Sequence, residues 1–333
     1  MRVSVLDVGS RTVRLVVVDT DSGAPLPVHT AKWKLRLCDH VEPGGPVGEE
    51  SVRRLARAVS AASTASQRWG AGRPLAFATS VVRDAPDRRD VVRAVGARTG
   101  VWLRTLPGEL EAELAFLGAR RWLGWQAGPL VLMDIGGGSL DVAFGRGRLP
   151  DFAVSLPLGA QRLTHEFLAV EEPPSPQAVK ALRRRVRHQL RDVAARVRWE
   201  GPRSAVATSR TFQQLARLTG EAPGRQGPFV PRTLRRSALR RAREELAPLL
   251  AADRARLPGI SAPRAGQSLA GAVVGHTAMK LMGVESAAVC PWALREGVLL
   301  RHIEDGPQWW DELGEEPEHG LPPGTAPLRV AMS

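Results

Sequence analysis

One short pattern occurs twice in the chain, and it limits the possible folds more than any other feature. "VLDVGSRTVRLV" from Val5 and "LMDIGGGSLDVA" from Leu132 align without gaps, placing Asp7 on Asp134, Gly9 on Gly136 and Thr12 on Ser139. Each copy has apolar, largely β-branched arms around a turn of small residues, which reads as strand, tight turn, strand. Two unrelated hairpins would resemble each other this way only by chance. A duplicated domain accounts for the match directly, with each copy opening on the same hairpin and lending one small-residue turn to a shared cleft.

The rest of the chain fits an α/β class built on that duplication. At 333 residues it is long for one hydrophobic core and comfortable for two. After the first hairpin, Val52, Leu55, Val59 and Ala62 take helical spacing, and "LAFATS" reads as a strand. A helix is expected over Arg88 to Thr99, a strand at "VWLRTL", and after Gly108 a helix carrying Glu111. Strands alternating with helices in this way indicate α/β architecture. Beyond the second hairpin, Ser175 is placed to cap a long helix whose first residue is Pro176. Val179, Leu182, Val186, Leu190, Val193 and Val197 form its apolar stripe and leave its arginines to solvent. Helical patterns run from Thr233 to Ala255 and from Gly266 to Leu281, then a strand at "ESAAVCP" and a helix through "WALREGVLLRHI". The expected division is an N-terminal domain over 1–125 and a C-terminal domain over 126–304. From Asp305 to 333 the chain is acidic and Pro/Gly-rich, with Trp309 and Trp310 adjacent, and reads as a mobile or loosely packed tail.

Composition narrows the function classes. Cys38 and Cys290 match no metal spacing, and two distant cysteines suit a reducing cytoplasm. Arg2, Asp7 and Arg11 break up any apolar leader, and no apolar run is long enough to span a membrane. The formal net charge is +13, which attracts polyanions. The excess is nearly all arginine, with four lysines and no tyrosine, a skew that a GC-rich coding sequence also produces. Aromatic residues are few and are not interleaved with the basic runs, which argues against a single-strand nucleic-acid binder.

The two turns exclude several chemistries and favour one. "DIGGGSLD" has no following lysine, so it is no Walker loop, and it lies between strands rather than opening a helix, so it is no dinucleotide fingerprint. No GxSxG elbow occurs. Glycines at a strand-to-strand turn leave N–H groups unshielded, and clustered N–H donors bind phosphate oxygens. Ser139 adds a hydroxyl to one turn, and Ser10 and Thr12 add theirs to the other. Carboxylates beside phosphate require an intervening cation, so Asp7, Asp134 and Asp141 read as ligands or outer partners of Mg²⁺. The bland alternative is that the glycines merely make the turns and the acids cap them.

"DVGSRTVRLVVVD", "FATSVVRDA", "LPGELEAELAFLGA", "DIGGGSLDV", "SLPLGAQRLT" and "CPWALREGVLLR" occur in this order. Together they resemble the exopolyphosphatase/guanosine pentaphosphate phosphohydrolase family, and most of all its short, two-domain actinobacterial members. The resemblance runs from Met1 to about Ile303. It implies an actin-like fold of the actin/sugar-kinase/Hsp70 superfamily, two ribonuclease-H-like domains with the site in the cleft between them. It also implies Mg²⁺-assisted hydrolysis of the terminal phosphate of short-chain inorganic polyphosphate, with Mn²⁺ as an alternative metal. By position in the motifs, Glu111 matches the base for water and Arg83 a phosphate-binding arginine. Asp7, Gly9, Ser10, Arg11 and Thr12 fall on the first phosphate loop, and Asp134, Gly136, Gly137, Gly138 and Ser139 on the second. Arg11 stands where the family usually has Asn, Leu110 replaces an acid, Glu113 replaces an Arg, and Asp141 stands for a Glu. These departures put turnover and metal affinity in doubt. Guanosine pentaphosphate hydrolysis, or non-hydrolytic sensing of polyphosphate or an alarmone, are the alternatives. A homodimer, joined through the second domain, is the expectation the family carries.

Overall fold

The computed structural model describes residues 1–37, 40–41 and 44–313. The chain opens with β1 (Arg2–Val8), β2 (Thr12–Asp19) and β3 (Pro27–Lys34), followed by α1 (Glu49–Arg68) and β4 (Leu75–Ala78). α2 (Ser80–Arg83), α3 (Arg88–Thr99), β5 (Arg104–Thr105) and α4 (Gly108–Leu123) complete the first half. The second begins with β6 (Leu130–Ile135), β7 (Leu140–Gly145) and β8 (Phe152–Leu156), then α5 (Ala160–Phe167), α6 (Pro176–Glu200) and β9 (Ser204–Thr208). α7 (Ser209–Leu218), β10 (Thr233–Arg235), α8 (Arg236–Leu246), α9 (Ala251–Arg254) and α10 (Ala265–Leu281) follow. β11 (Ser286–Val289), α11 (Leu294–Asp305) and α12 (Gln308–Glu312) end the described chain.

The two sheets repeat one topology. The first has the order β3-β2-β1-β4-β5, an antiparallel meander extended by two parallel strands. The second, read as β8-β7-β6-β9-β11, is the same arrangement with the same strand senses. The two turns are closed alike: Gly9 donates its N–H to the Thr12 carbonyl at 3.0 Å, and Gly136 to the Ser139 carbonyl at 2.9 Å. The duplication read from two twelve-residue strings therefore extends over both halves.

Strand alternation decides which faces are covered. Leu6 and Val8 of β1 point into a core with Leu55, Val59 and Ala62 of α1 and Val91 and Val95 of α3. Val3 and Val5 point the other way, to Leu114 of α4 and Val298 and Leu299 of α11. In the second sheet, Val131, Met133 and Ile135 face α6 and α10, while Leu130 and Leu132 face Ala115, Phe116 and Ala119 of α4. α4 is thus buried against both sheets, and its first turn lies where the halves meet.

Three expectations are corrected. Thr233–Arg235 is not helical but an edge strand antiparallel to β11, and only the alternating central residue, Leu234, is buried. α11, placed by sequence with the C-terminal domain, returns to pack on α4 and β1 of the first half. The start of the tail is packed too: Trp309 and Trp310 are buried against Val3, Val5 and Phe77. Two adjacent indoles bring more apolar area than the surrounding acidic and Pro/Gly-rich composition suggests. The rest of the expected tail, 314–333, lies outside the described residues. No helix among the described residues is long and apolar enough to cross a membrane.

Candidate active site

The two turns face each other at the carboxyl ends of β1 and β6. A Cβ built on Gly137 would lie 3.5 Å from the Ser10 hydroxyl, so the loops are in contact range. The second loop is set by the start of α5. The Gly138 carbonyl accepts the N–H of Gly159, the Gly136 carbonyl that of Ala160, and the Gly137 carbonyl those of Gln161 and Arg162, at 3.0–3.2 Å. With its carbonyls turned to the helix, the loop presents its amides outward. Among the described residues no group accepts the N–H of Gly137 or Gly138. Glycine is required here by space: a Cβ on Gly159 would come within 2.3 Å of the Gly137 carbonyl oxygen, and one on Gly138 within 2.6 Å of the Ser80 hydroxyl. The first loop contributes Ser10 and Thr12, both half-buried, while the Arg11 carbonyl accepts from Leu35 and Arg36 at 2.9 and 3.1 Å. A small cavity of about 50 Å³, open to solvent, lies beside the loops between Ser10, Ser80, Asp84, Gly137, Gly138 and Arg162.

Glu111 is buried in the first turn of α4. Arg83, ending α2, donates to its carboxylate at 2.6 Å and to Asp84 at 3.0 Å. Gly108 lets the start of α4 pack closely on β8, since a Cβ there would lie 2.4 Å from that of Ser155. Burial pushes the Glu111 pKa well above the ordinary carboxylate value. The Arg83 charge opposes that shift, and Asp141 and Asp7 reinforce it. Sequence placed Arg83 at a phosphate; the structure also makes it the partner of the candidate base.

The three acids expected at a metal are divided. Cross-strand pairing sets Asp7 opposite Arg14, but Asp134 opposite Asp141. Asp7, expected with the other two at a metal, accepts from Arg295 of α11 at 3.0 Å. Asp134 accepts from Thr208 at 2.6 Å, and burial raises its pKa to about 6 against that hydrogen bond and the charges of Arg295 and Arg264. Asp141 accepts from Ser155 at 2.5 Å; burial and then the Asp134 charge raise its pKa to about 7. Among the described residues no three His, Cys, Asp or Glu side chains converge as a metal site. The facing carboxylates of Asp134, half-buried, and Asp141, buried, repel each other and fit a hard cation that arrives with phosphate oxygens, because Mg²⁺ needs only one or two protein carboxylates.

Arg295, Arg162, Thr208 and Ser155 were given no role from sequence. All but Thr208 lie inside the strings that carried the resemblance, and Thr208 lies in the strand "SAVATS".

The model of the Ppx/GppA phosphatase family matches residues 16–305. The chain belongs to that family. An uncharacterized protein of Streptomyces coelicolor is 70% identical to this family member over its full length and 99% of its own. Exopolyphosphatase 1 of Mycobacterium tuberculosis is 44% identical, covering 91% of this chain and 89% of that one. Among solved structures, an exopolyphosphatase from Cytophaga hutchinsonii superimposes with a TM-score of 0.83 at 21% identity, covering 92% of this chain and 98% of that one. The Aquifex aeolicus family member gives 0.78 at 23%, with the same coverage. At these identities the structural matches establish the shared two-sheet fold. This Ppx/GppA protein therefore places its loops and Glu111 on a family scaffold.

Proposed function

We propose that this protein is an exopolyphosphatase, removing the terminal phosphate of short-chain inorganic polyphosphate. The observation that carries the reading is a buried, proton-attracting Glu111 beside two facing loops, the second of which has unused amides at Gly137 and Gly138. Its relation to Exopolyphosphatase 1 at 44% identity names the substrate class.

The terminal phosphate lies between the loops, its oxygens taking the amides of Gly137 and Gly138 and the hydroxyl of Ser10. Glu111 Oε accepts a proton from water as the water oxygen bonds to the terminal phosphorus. The bridging P–O bond breaks, and its electron pair leaves on the shortened chain. A raised pKa makes Glu111 a better base near neutrality, and Arg83 keeps enough of it ionised to act. Mg²⁺ or Mn²⁺ on Asp134, Asp141 and phosphate oxygens would neutralise charge on the transferring group. Ser155 and Thr208 fix the orientation of these two carboxylates.

The test is phosphate release from short-chain polyphosphate and from guanosine pentaphosphate by wild type and Glu111→Gln. Release from polyphosphate should fall on the order of 10²–10⁴-fold in the variant, the usual contribution of a general base, while polyphosphate binding persists. Release from guanosine pentaphosphate alone would move the reading to alarmone hydrolysis. Tight binding without release by wild type would move it to a sensor.

A further inference from the structure

Asp84 belongs to the first half and Arg162 to α5 of the second, and they meet at 2.9 Å across the mouth of the cleft. The Arg162 Nε also donates to the Gly138 carbonyl at 3.1 Å, so this side chain is anchored to the phosphate loop itself. Asp84 takes Arg83 on its other side at 3.0 Å. One carboxylate thus holds two arginines that both border the site.

We propose that Arg162 is a substrate-binding residue, taking the phosphate next to the terminal one, and that Asp84 occupies it as an internal anion until substrate arrives. The inference deepens the exopolyphosphatase reading and rests on it for the substrate. Three observations support it. Arg162 lines one open space together with Ser10, Gly137 and Gly138, and Glu111 does not line it, so a phosphate held on the loops beside the base leaves the rest of the chain on the Arg162 side. Of the five guanidinium N–H donors, Nε and one on Nη2 are spent on Gly138 and Asp84, leaving donors for a second anion. Two further cations of the site are already committed to acids, Arg83 to Glu111 and Arg295 to Asp7.

A substrate ligand restrained by an acid and a merely structural clasp predict different signs. If Arg162 binds phosphate, Arg162→Ala should weaken tripolyphosphate binding by about tenfold or more, the scale of a charge-assisted contact. Asp84→Asn should leave binding unchanged or tighten it, because the arginines are released. If the pair only joins the two halves, both substitutions weaken binding alike and lower Tm together. The experiment is titration calorimetry with tripolyphosphate on wild type, Arg162→Ala, Arg162→Lys and Asp84→Asn, alongside steady-state phosphate release. Weaker binding by Arg162→Ala with unchanged or tighter binding by Asp84→Asn, and partial rescue by lysine, supports the proposal. Equal losses, or an Arg162→Ala affinity within twofold of wild type, overturn it. Wild type that binds tripolyphosphate without turning it over would defeat the hydrolase reading alone, since the calorimetric comparison still judges Arg162. Wild type that neither binds nor hydrolyses would overturn both.

Discussion

Asp141 shows what a single residue costs and why it is there. Its pKa is about 3.8 when solvated and about 7 in the folded protein, so the folded state holds more protons across that interval. Raising pH through it therefore lowers stability, and above the folded value the full cost of a buried charge beside Asp134 is present. Asp141→Asn should be more stable than wild type near about pH 8, by on the order of 1–3 kcal/mol, with the gap closing towards about pH 5. Thermal melts at the two pH values measure it, and equal gaps at both would show that Asp141 is solvated. Residue identities were legible where the partner is close in sequence. Asp7 has a partner that sequence does not show. Its cation, Arg295, is 288 positions away and reaches it only because α11 folds back. The Glu111–Arg83 pair was hidden by the same kind of distance, since neither string indicates that the two meet.

At the scale of elements, the site depends on α4 being held between the sheets. α11 crosses it so closely that a Cβ on Gly297 would lie 1.8 Å from the Leu114 carbonyl oxygen. Gly297→Ala must push the helices apart, and overpacking of this kind costs about 1–3 kcal/mol. A lower Tm is expected, together with a loss of kcat, because Glu111 rides on the displaced helix. An unchanged Tm would mean that the crossing relaxes freely. The long elements were readable from periodicity: α3 begins and ends where expected, and Ser175 caps α6 by accepting the Ala178 N–H at 3.3 Å. Short elements were not. β10 has three residues, and its strand state is imposed by pairing with β11 rather than by its own sequence. The packing of Trp309 and Trp310 was equally invisible, because composition describes a segment and not the surface it finds.

For the whole molecule, the remaining question is whether a net charge of +13 does anything. Some of it is spent in the site, on Arg83, Arg162 and Arg295 with their acids. Much is not: Arg183, Arg184 and Arg187 stand exposed on α6. Surplus positive charge raises the encounter rate with a polyanion, and salt screens that attraction over about 10 Å at 0.1 M. If the field steers polyphosphate to the cleft, kcat/KM should fall several-fold between about 50 and about 300 mM salt, and more steeply for longer chains. Pyrophosphate should show the shallowest slope, and kcat should change much less than kcat/KM, because screening acts on the encounter and not on the enclosed reaction. A slope independent of chain length would separate the two origins of the charge. The cleft would still bind its substrate locally, and the exposed arginines would reflect coding composition alone.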